Sequence, residues 1–457
     1  MNPRDLLNST FDCQCGHTHE VPVRNLIYAE DALERLPDIL ASFVGGRRLV
    51  LVADQRTWDI AGQRARQALE QAGWSVHHII VPDSNYGSPV CDDTTYDWLD
   101  DKLPAADIAL AVGCGVINDL TKWLAFDRDL PYAVVATAAT MNGFAASSVA
   151  PAVGGVKTIL SARPPLAVFA LPSVITKAPF ELTTAGLGDT IAKPVSTADW
   201  ILNHIFYGEH FCRYCSEMID SLEPYYFDHP VDIKNREPAA IEALFNALLY
   251  SGIAMTIVGT SAPASGGEHL LSHTLDMMSS IDGVAHDLHG RQVGLGTLFA
   301  SAIYDRIFQV ETPHGHPLPP DIDSTFWAGL AENVRQQYEQ KKPMVQIMCE
   351  KLTDGKTWGA FIAAARWQVR SPHQIKNCLK AAGAAHTFSD IGCSRRRLLA
   401  AILHMHEIRK RPTIIDLAWV LGILPGAADE IIDRWFTDEG APAGAEGEEK
   451  RDNPQGL

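Results

Sequence analysis

Between residues 47 and 140, short apolar β-branched runs alternate with helix-patterned stretches, and few folds accept that rhythm. RRLVLVAD at 47–54 predicts a buried strand, and IAGQRARQALEQAG at 60–73 predicts an amphipathic helix stopped by glycine. WSVHHIIVP (74–82), ADIALAVGCG (106–115) and YAVVATAAT (132–140) predict three more strands. Strands separated by helices join through right-handed crossovers into a mostly parallel sheet, which binds nucleotides beyond the carboxyl ends of its strands. The turn GCGVIND lies where that rule places a ligand. Gly113 and Gly115 allow close backbone approach, and the free N–H groups of a helix start carrying Asn118 and Asp119 attract a pyrophosphate. Read alone, the same turn fits any tight strand-to-helix junction.

From about residue 177 the pattern becomes helical. EPAAIEALFNALLYSGIAMTIVG (237–259) is apolar on nearly every side beyond its start, as a central core helix must be, and 395–424 predicts two helices split at Pro412. Within this half lie SGGEHLLSHTLDMM (265–278) and HDLHGRQVG (286–294), preceded by GLGD (186–189). Neutral imidazoles and one carboxylate suit Zn²⁺, Ni²⁺ or Fe²⁺, and three protein ligands leave a coordination position for a substrate oxygen. Asp189, His269 and His289 are the candidate ligands. His273, one helical turn beyond His269, shares its face and is the candidate proton-transfer residue.

Taken in order, GCGVINDLTK (113–122), VATAATMNGFAASS (135–148), GLGDTIAKPVSTADW (186–200) and the two histidine segments resemble the iron-containing alcohol dehydrogenase and dehydroquinate synthase superfamily, most closely its glycerol-1-phosphate dehydrogenase branch. The resemblance spans roughly residues 20 to 430. It implies a dehydroquinate synthase-like fold: a Rossmann-like nucleotide-binding domain over 21–176 and an all-α metal-binding domain over 177–436. It also implies metal ligation by Asp189, His269 and His289, a nicotinamide cofactor (NAD or NADP) at the glycine turn, and interconversion of dihydroxyacetone phosphate and sn-glycerol 1-phosphate in phospholipid metabolism. Asp54 resembles the family's acidic residue near the adenosine end of the cofactor; a turn-forming Asp is the alternative. Thr137 and Ser147 line the cofactor by the same resemblance, Asn142 is carried over as a catalytic-site residue that also lines the substrate, and Lys157 and Lys193 match lysines suited to a phosphorylated triose. Lys193 also stands at i+4 from Asp189, the spacing of a helical ion pair.

Three residues depart from the family pattern. Cys114 breaks the glycine run. Asn142 replaces a usual Asp, and an amide hydrogen-bonds but cannot act as a base. Arg291 stands where Glu is frequent: positive charge beside the metal would favour an anionic substrate, and a solvated side chain on the outer face is the other reading. These changes keep two other readings open: a cyclase using NAD transiently, and a metal- and nucleotide-binding sensor without turnover.

The formal charge of −17 disfavours nucleic-acid and anionic-membrane partners, so local donors must hold a substrate phosphate. No apolar run in the sequence reads as a membrane span, and MNPRDLLNST lacks a signal-peptide core, which places the chain in the cytoplasm. The family resemblance favours a homodimer. Nine scattered cysteines do not make a secreted disulfide framework. In the N-terminal segment 1–20, Cys13, Cys15, His17 and His19 offer zinc-ligand chemistry at unusually tight spacing; a solvated, reduced arm is the other reading. Cys212 and Cys215 form a C-x-x-C with no preceding strand and no second C-x-x-C beyond it, so it carries no assignment of its own. The tail 437–457, rich in Gly, Ala, Glu and Pro, is expected to be disordered.

Overall fold

Six parallel strands form the N-terminal sheet in a computed structural model that describes residues 6–85 and 87–438. An antiparallel hairpin, β1 (Ser9–Asp12) and β2 (Thr18–Val21), precedes them. The sheet strands are β3 (Asn25–Tyr28), β4 (Arg48–Ala53), β5 (Ser75–Ile80), β6 (Ile108–Gly113), β7 (Tyr132–Ala136) and β8 (Ala167–Ala170), in the spatial order β3-β8-β7-β6-β4-β5. Period-two alternation buries both faces. Val50, Val52, Ala109, Ala111 and Val134 pack on one side, Leu49, Leu51, Leu110, Val112 and Val135 on the other. The four expected strands are present; β3 and β8 add two.

The chain order reverses between β4 and β6, which pair directly, Ala53 opposite Val112. A ligand crevice opens at such a switch point beyond the strand ends. Asp54 follows β4 and the turn Gly113–Gly115 follows β6, so the topology sets both at that crevice. Helix α1 (Gly115–Asp127) leaves the turn. Beyond β7, Asn142–Ala145 form a short 3-10 turn, and two nested hairpins over 148–161 bring Lys157 forward.

The second half is helical: α2 (Phe180–Ile191), α3 (Lys193–Tyr207), α4 (Arg213–Asp220), α5 (Pro238–Val258), α6 (Glu268–Asp282) and α7 (His289–Ile307) frame the site, and further helices follow to Trp435. By length and composition α5 is apolar enough to cross a membrane, which the sequence reading passed over. Yet 72% of its apolar window is buried inside the protein, as a core helix requires.

Between α2 and α7 the backbones touch. A Cβ on Gly188 would lie 2.0 Å from the Gly290 carbonyl oxygen, and one on Gly290 1.9 Å from that of Ala185. No residue but glycine fits there. Residues 439–457, and with them nearly all of the expected disordered tail, lie outside the described residues.

Candidate active site

Asp189 sits in the last turn of α2, His269 in the first turn of α6, and His289 opens α7. The glycine contact between α2 and α7 brings the first and last of these close. Nε2 of His269 is 3.6 Å from Oδ1 of Asp189, and the His269 and His289 ring centroids are 5.3 Å apart. His273 completes the group, 6.0 Å from His269 and 5.7 Å from His289 by ring centroids.

Each ring has an outer partner. Glu268, with no solvent exposure, lies 2.7 Å from Nδ1 of His269. An ionised carboxylate only accepts, so Nδ1 of His269 donates to it and Nε2 faces Asp189. Glu268 is itself fixed by the Ser196 hydroxyl at 2.8 Å and the Gly266 N–H at 2.7 Å. The Ser272 hydroxyl occupies Nδ1 of His289 at 2.9 Å.

Asp189 is 1% exposed and heavily bonded. Its Oδ1 accepts from Lys193 Nζ at 2.9 Å and from Asn142 Nδ2 at 3.3 Å, and its Oδ2 accepts the Asn142 backbone N–H at 2.9 Å. Burial alone would raise this carboxyl, but the Lys193 ammonium and His269 outweigh it and hold Asp189 far below the ordinary range. Burial drives His289 the other way, down to about 3, with His269 adding to the effect. His273 is held well below its ordinary value by burial, then by His289, Arg409, His269 and Lys157. The site thus joins one carboxylate to His269 and to two imidazoles, His273 and His289, that burial keeps neutral.

At the crevice, α1 begins with Cys114 as N-cap, which makes no side-chain capping bond. Gly115 adopts φ +41, and Gly113 must lack a Cβ because Ile117 Cβ would lie 2.8 Å away. Asp54 caps the following short helix through the Thr57 N–H at 2.9 Å. Thr137 is buried after β7, and Ser147 is half-buried before the nested hairpins. Asn118, expected at the cofactor, is fully buried instead: it accepts from Tyr132 OH at 3.1 Å and donates to Asp119 at 2.9 Å. It supports Asp119, whose other oxygen accepts the Ala150 N–H at 3.3 Å.

Lys157 and Lys193 separate. Lys157 lies 3.8 Å from Asp276 on α6, whereas Lys193 is 1% exposed and also bonds the Ala264 carbonyl at 2.9 Å. Lys193 therefore steadies Asp189, with two of its ammonium donors engaged inside the protein. Arg291, read as solvated, is tied to Asp287 at 2.7 Å and to the Asp390 carbonyl. Sequence reading missed Glu268, Lys122 and Arg409. Lys122 is fully buried and holds the 142–148 segment through the carbonyls of Gly143 and Ser148. Arg409 donates to the Gly266 carbonyl and Ser265 Oγ, each at 2.7 Å. Glu268 adjoins a candidate histidine and could have been found; the other two act through tertiary contacts that carry no local signal.

The N-terminal cysteine segment is not a solvated arm. His19 and Val21 are buried, and Cys13, Cys15, His19 and Cys212 gather with their ligand atoms all within 4.8 Å of one another. The His17 ring packs at a tilt against His210 instead, with centroids 4.0 Å apart.

A profile described as iron-containing alcohol dehydrogenase matches residues 27–179. A glycerol-1-phosphate dehydrogenase (NAD(P)+) of Halalkalibacterium halodurans is 32% identical over 410 residues, covering 88% of this chain and 94% of its own. The chain belongs to the iron-containing alcohol dehydrogenase family, in its glycerol-1-phosphate dehydrogenase branch. A second such relative, from Geobacillus stearothermophilus, is 31% identical, covering 89% of this chain and 94% of its own. The fold is likewise that of glycerol dehydrogenase from Schizosaccharomyces pombe, at a TM-score of 0.58 and 16% identity over 89% of this chain and 90% of that one.

Membership in this family of dehydrogenases implies a nicotinamide nucleotide and a divalent metal. The residues present fit both. An ionised carboxylate faces two imidazoles whose outer nitrogens are engaged, and the 3.6 Å between Asp189 and His269 is near the roughly 3.4 Å separating two ligands on a tetrahedral zinc. The switch-point crevice, with bare N–H groups at the start of α1, fits a dinucleotide.

Proposed function

We propose that this protein is a metal-dependent NAD(P) oxidoreductase interconverting dihydroxyacetone phosphate and sn-glycerol 1-phosphate, with Asp189, His269 and His289 as metal ligands. The observation that carries the reading is the convergence of those three side chains beside His273, on which two cations, Lys157 and Arg409, also bear. When bound, the ion would supply Lewis-acid polarisation of the ketone and the nicotinamide would supply hydride.

This chain's own residues do the rest. Glu268 and Ser272 orient the two histidines, and Asn142 and Lys193 hold Asp189. Asn142, expected beside the substrate, acts as a positioning residue in this account, because its amide is spent on the carboxylate. Lys157 and Arg409 hold the phosphate, which explains how so acidic a protein receives an anionic triose. His273, kept neutral, accepts the alcohol proton in the oxidative direction and returns it in reduction. Gly113, Gly115 and Asp119 approach the pyrophosphate, Thr137 and Ser147 border the nicotinamide side, and Asp54 lies toward the adenosine. A cytoplasmic homodimer without nucleic-acid or membrane partners belongs to the same proposal, supported by the charge of −17 and the resemblance to the family.

The test is a screen of the metal-reconstituted protein, loaded in turn with Zn²⁺, Ni²⁺ and Fe²⁺, against dihydroxyacetone phosphate, dihydroxyacetone and glycerol with both cofactors. Net consumption of NADH or NADPH with the phosphorylated ketone supports the reading. Preference for the unphosphorylated substrates, or binding without net cofactor turnover, overturns it.

A further inference from the structure

A second cluster lies away from these residues, where the N-terminal hairpin meets the helical half. Cys13 and Cys15 occupy the turn between β1 and β2, and His19 lies on β2. Cys212 is the N-cap of α4, some two hundred positions later in the chain. The turn is closed by Cys13 N–H to the His17 carbonyl at 2.9 Å and Gly16 N–H to the Cys13 carbonyl at 3.0 Å, with Gly16 at φ +86. That knuckle aims both thiols at α4.

The separations discriminate between the chemistries open to three thiols and an imidazole. Cys13 Sγ lies 3.8 Å from Cys212 Sγ; Cys15 Sγ is 3.1 Å and Cys212 Sγ 3.4 Å from His19 Nε2. A disulfide needs about 2.05 Å. Two sulfurs on one tetrahedral zinc, each at about 2.3 Å from the ion, stand about 3.8 Å apart, and a sulfur and an imidazole nitrogen about 3.5 Å apart. The observed set matches the second pattern. All three cysteines are free thiols, and His19 is only 4% exposed, enclosed by the Phe11 ring at 5.6 Å.

We propose that Cys13, Cys15, His19 and Cys212 bind one Zn²⁺ in a closed Cys3His site that staples the N-terminal hairpin to α4, separate from the metal at Asp189. Four protein ligands leave no position for substrate, so the role is structural. The ligand set also joins the N-terminal pair Cys13 and Cys15 to Cys212 of the distant C-x-x-C, and it replaces His17 with Cys212.

Zinc content of the full chain carrying His269→Ala and His289→Ala reports on this site alone, since the other ligand set is then broken. About one zinc per chain is expected to remain. Adding Cys212→Ser or His19→Asn should release it, while His17→Asn should retain it. If the doubly substituted chain does not fold, zinc-edge X-ray absorption on the intact protein with about two zinc per chain must show a component with three sulfurs at about 2.3 Å and one nitrogen at about 2.0 Å. Zinc absent from the doubly substituted chain, a Cys13–Cys212 disulfide, retention in Cys212→Ser, or no sulfur shell would each overturn the proposal.

Discussion

Gly188 and Gly290 face each other across α2 and α7 so closely that a Cβ on Gly188 would sit 2.0 Å from the Gly290 carbonyl oxygen. Each glycine adjoins a candidate ligand, Asp189 or His289, so the helix separation that glycine permits is also the separation of those ligands. Gly290→Ala should force the helices apart. Its thermal unfolding should show a loss of at least about 1–3 kcal/mol, the usual cost of overpacking, together with reduced metal content. Normal metal content in the folded variant would break the link between helix approach and ligation.

Glu268 is buried against His269 and acts only through that ring in the present account. Glu268→Gln keeps the shape and removes the charge that fixes the tautomer. Metal affinity, measured by competition with a chelator, should weaken by roughly 10- to 100-fold while the far-ultraviolet circular dichroism stays unchanged.

In the proposed reading Lys157 and Arg409 hold the substrate phosphate. Lys157→Met should lower kcat/KM for dihydroxyacetone phosphate by roughly 10- to 150-fold, the equivalent of about 1.5–3 kcal/mol for a charged hydrogen bond, mainly through KM. Activity with unphosphorylated dihydroxyacetone should change little. Equal losses on both substrates would place Lys157 elsewhere in the mechanism.

Acid should destabilise the metal-free protein in a defined window. His289 is pushed down to about 3 in the fold and returns to about 6.5 when unfolded. Below pH 6.5 the unfolded chain therefore binds the extra proton, and stability falls as pH drops from about 6.5 toward 3. His289→Gln should remove up to one proton from the measured pH dependence of unfolding. Identical slopes for the two proteins would show that His289 is not buried neutral.

The sheet was readable because β4 to β7 are apolar runs bounded by clear turns. β3 and β8 escaped because NLIY and AVFA are only four residues long, too short to show a period of their own. Asp189, His269 and His289 stood out as a carboxylate and two imidazoles carried by the separate segments GLGD, SGGEHLLSH and HDLHGRQ. The fates of Asn118 and Lys193 could not be seen that way, since only the folded chain supplies Tyr132 and the Ala264 carbonyl as their partners. Cys212 shows the same limit most sharply: its partners lie at the opposite end of the N-terminal half, and no local pattern joins them.

The most direct test is turnover of dihydroxyacetone phosphate by the apoprotein as divalent metal is added back, in the wild type and in His289→Ala. The account predicts that wild-type rate rises in proportion to metal bound and yields sn-glycerol 1-phosphate, while folded His289→Ala stays inactive at the same metal concentrations. Undiminished turnover in His289→Ala, or wild-type turnover independent of metal, would contradict it.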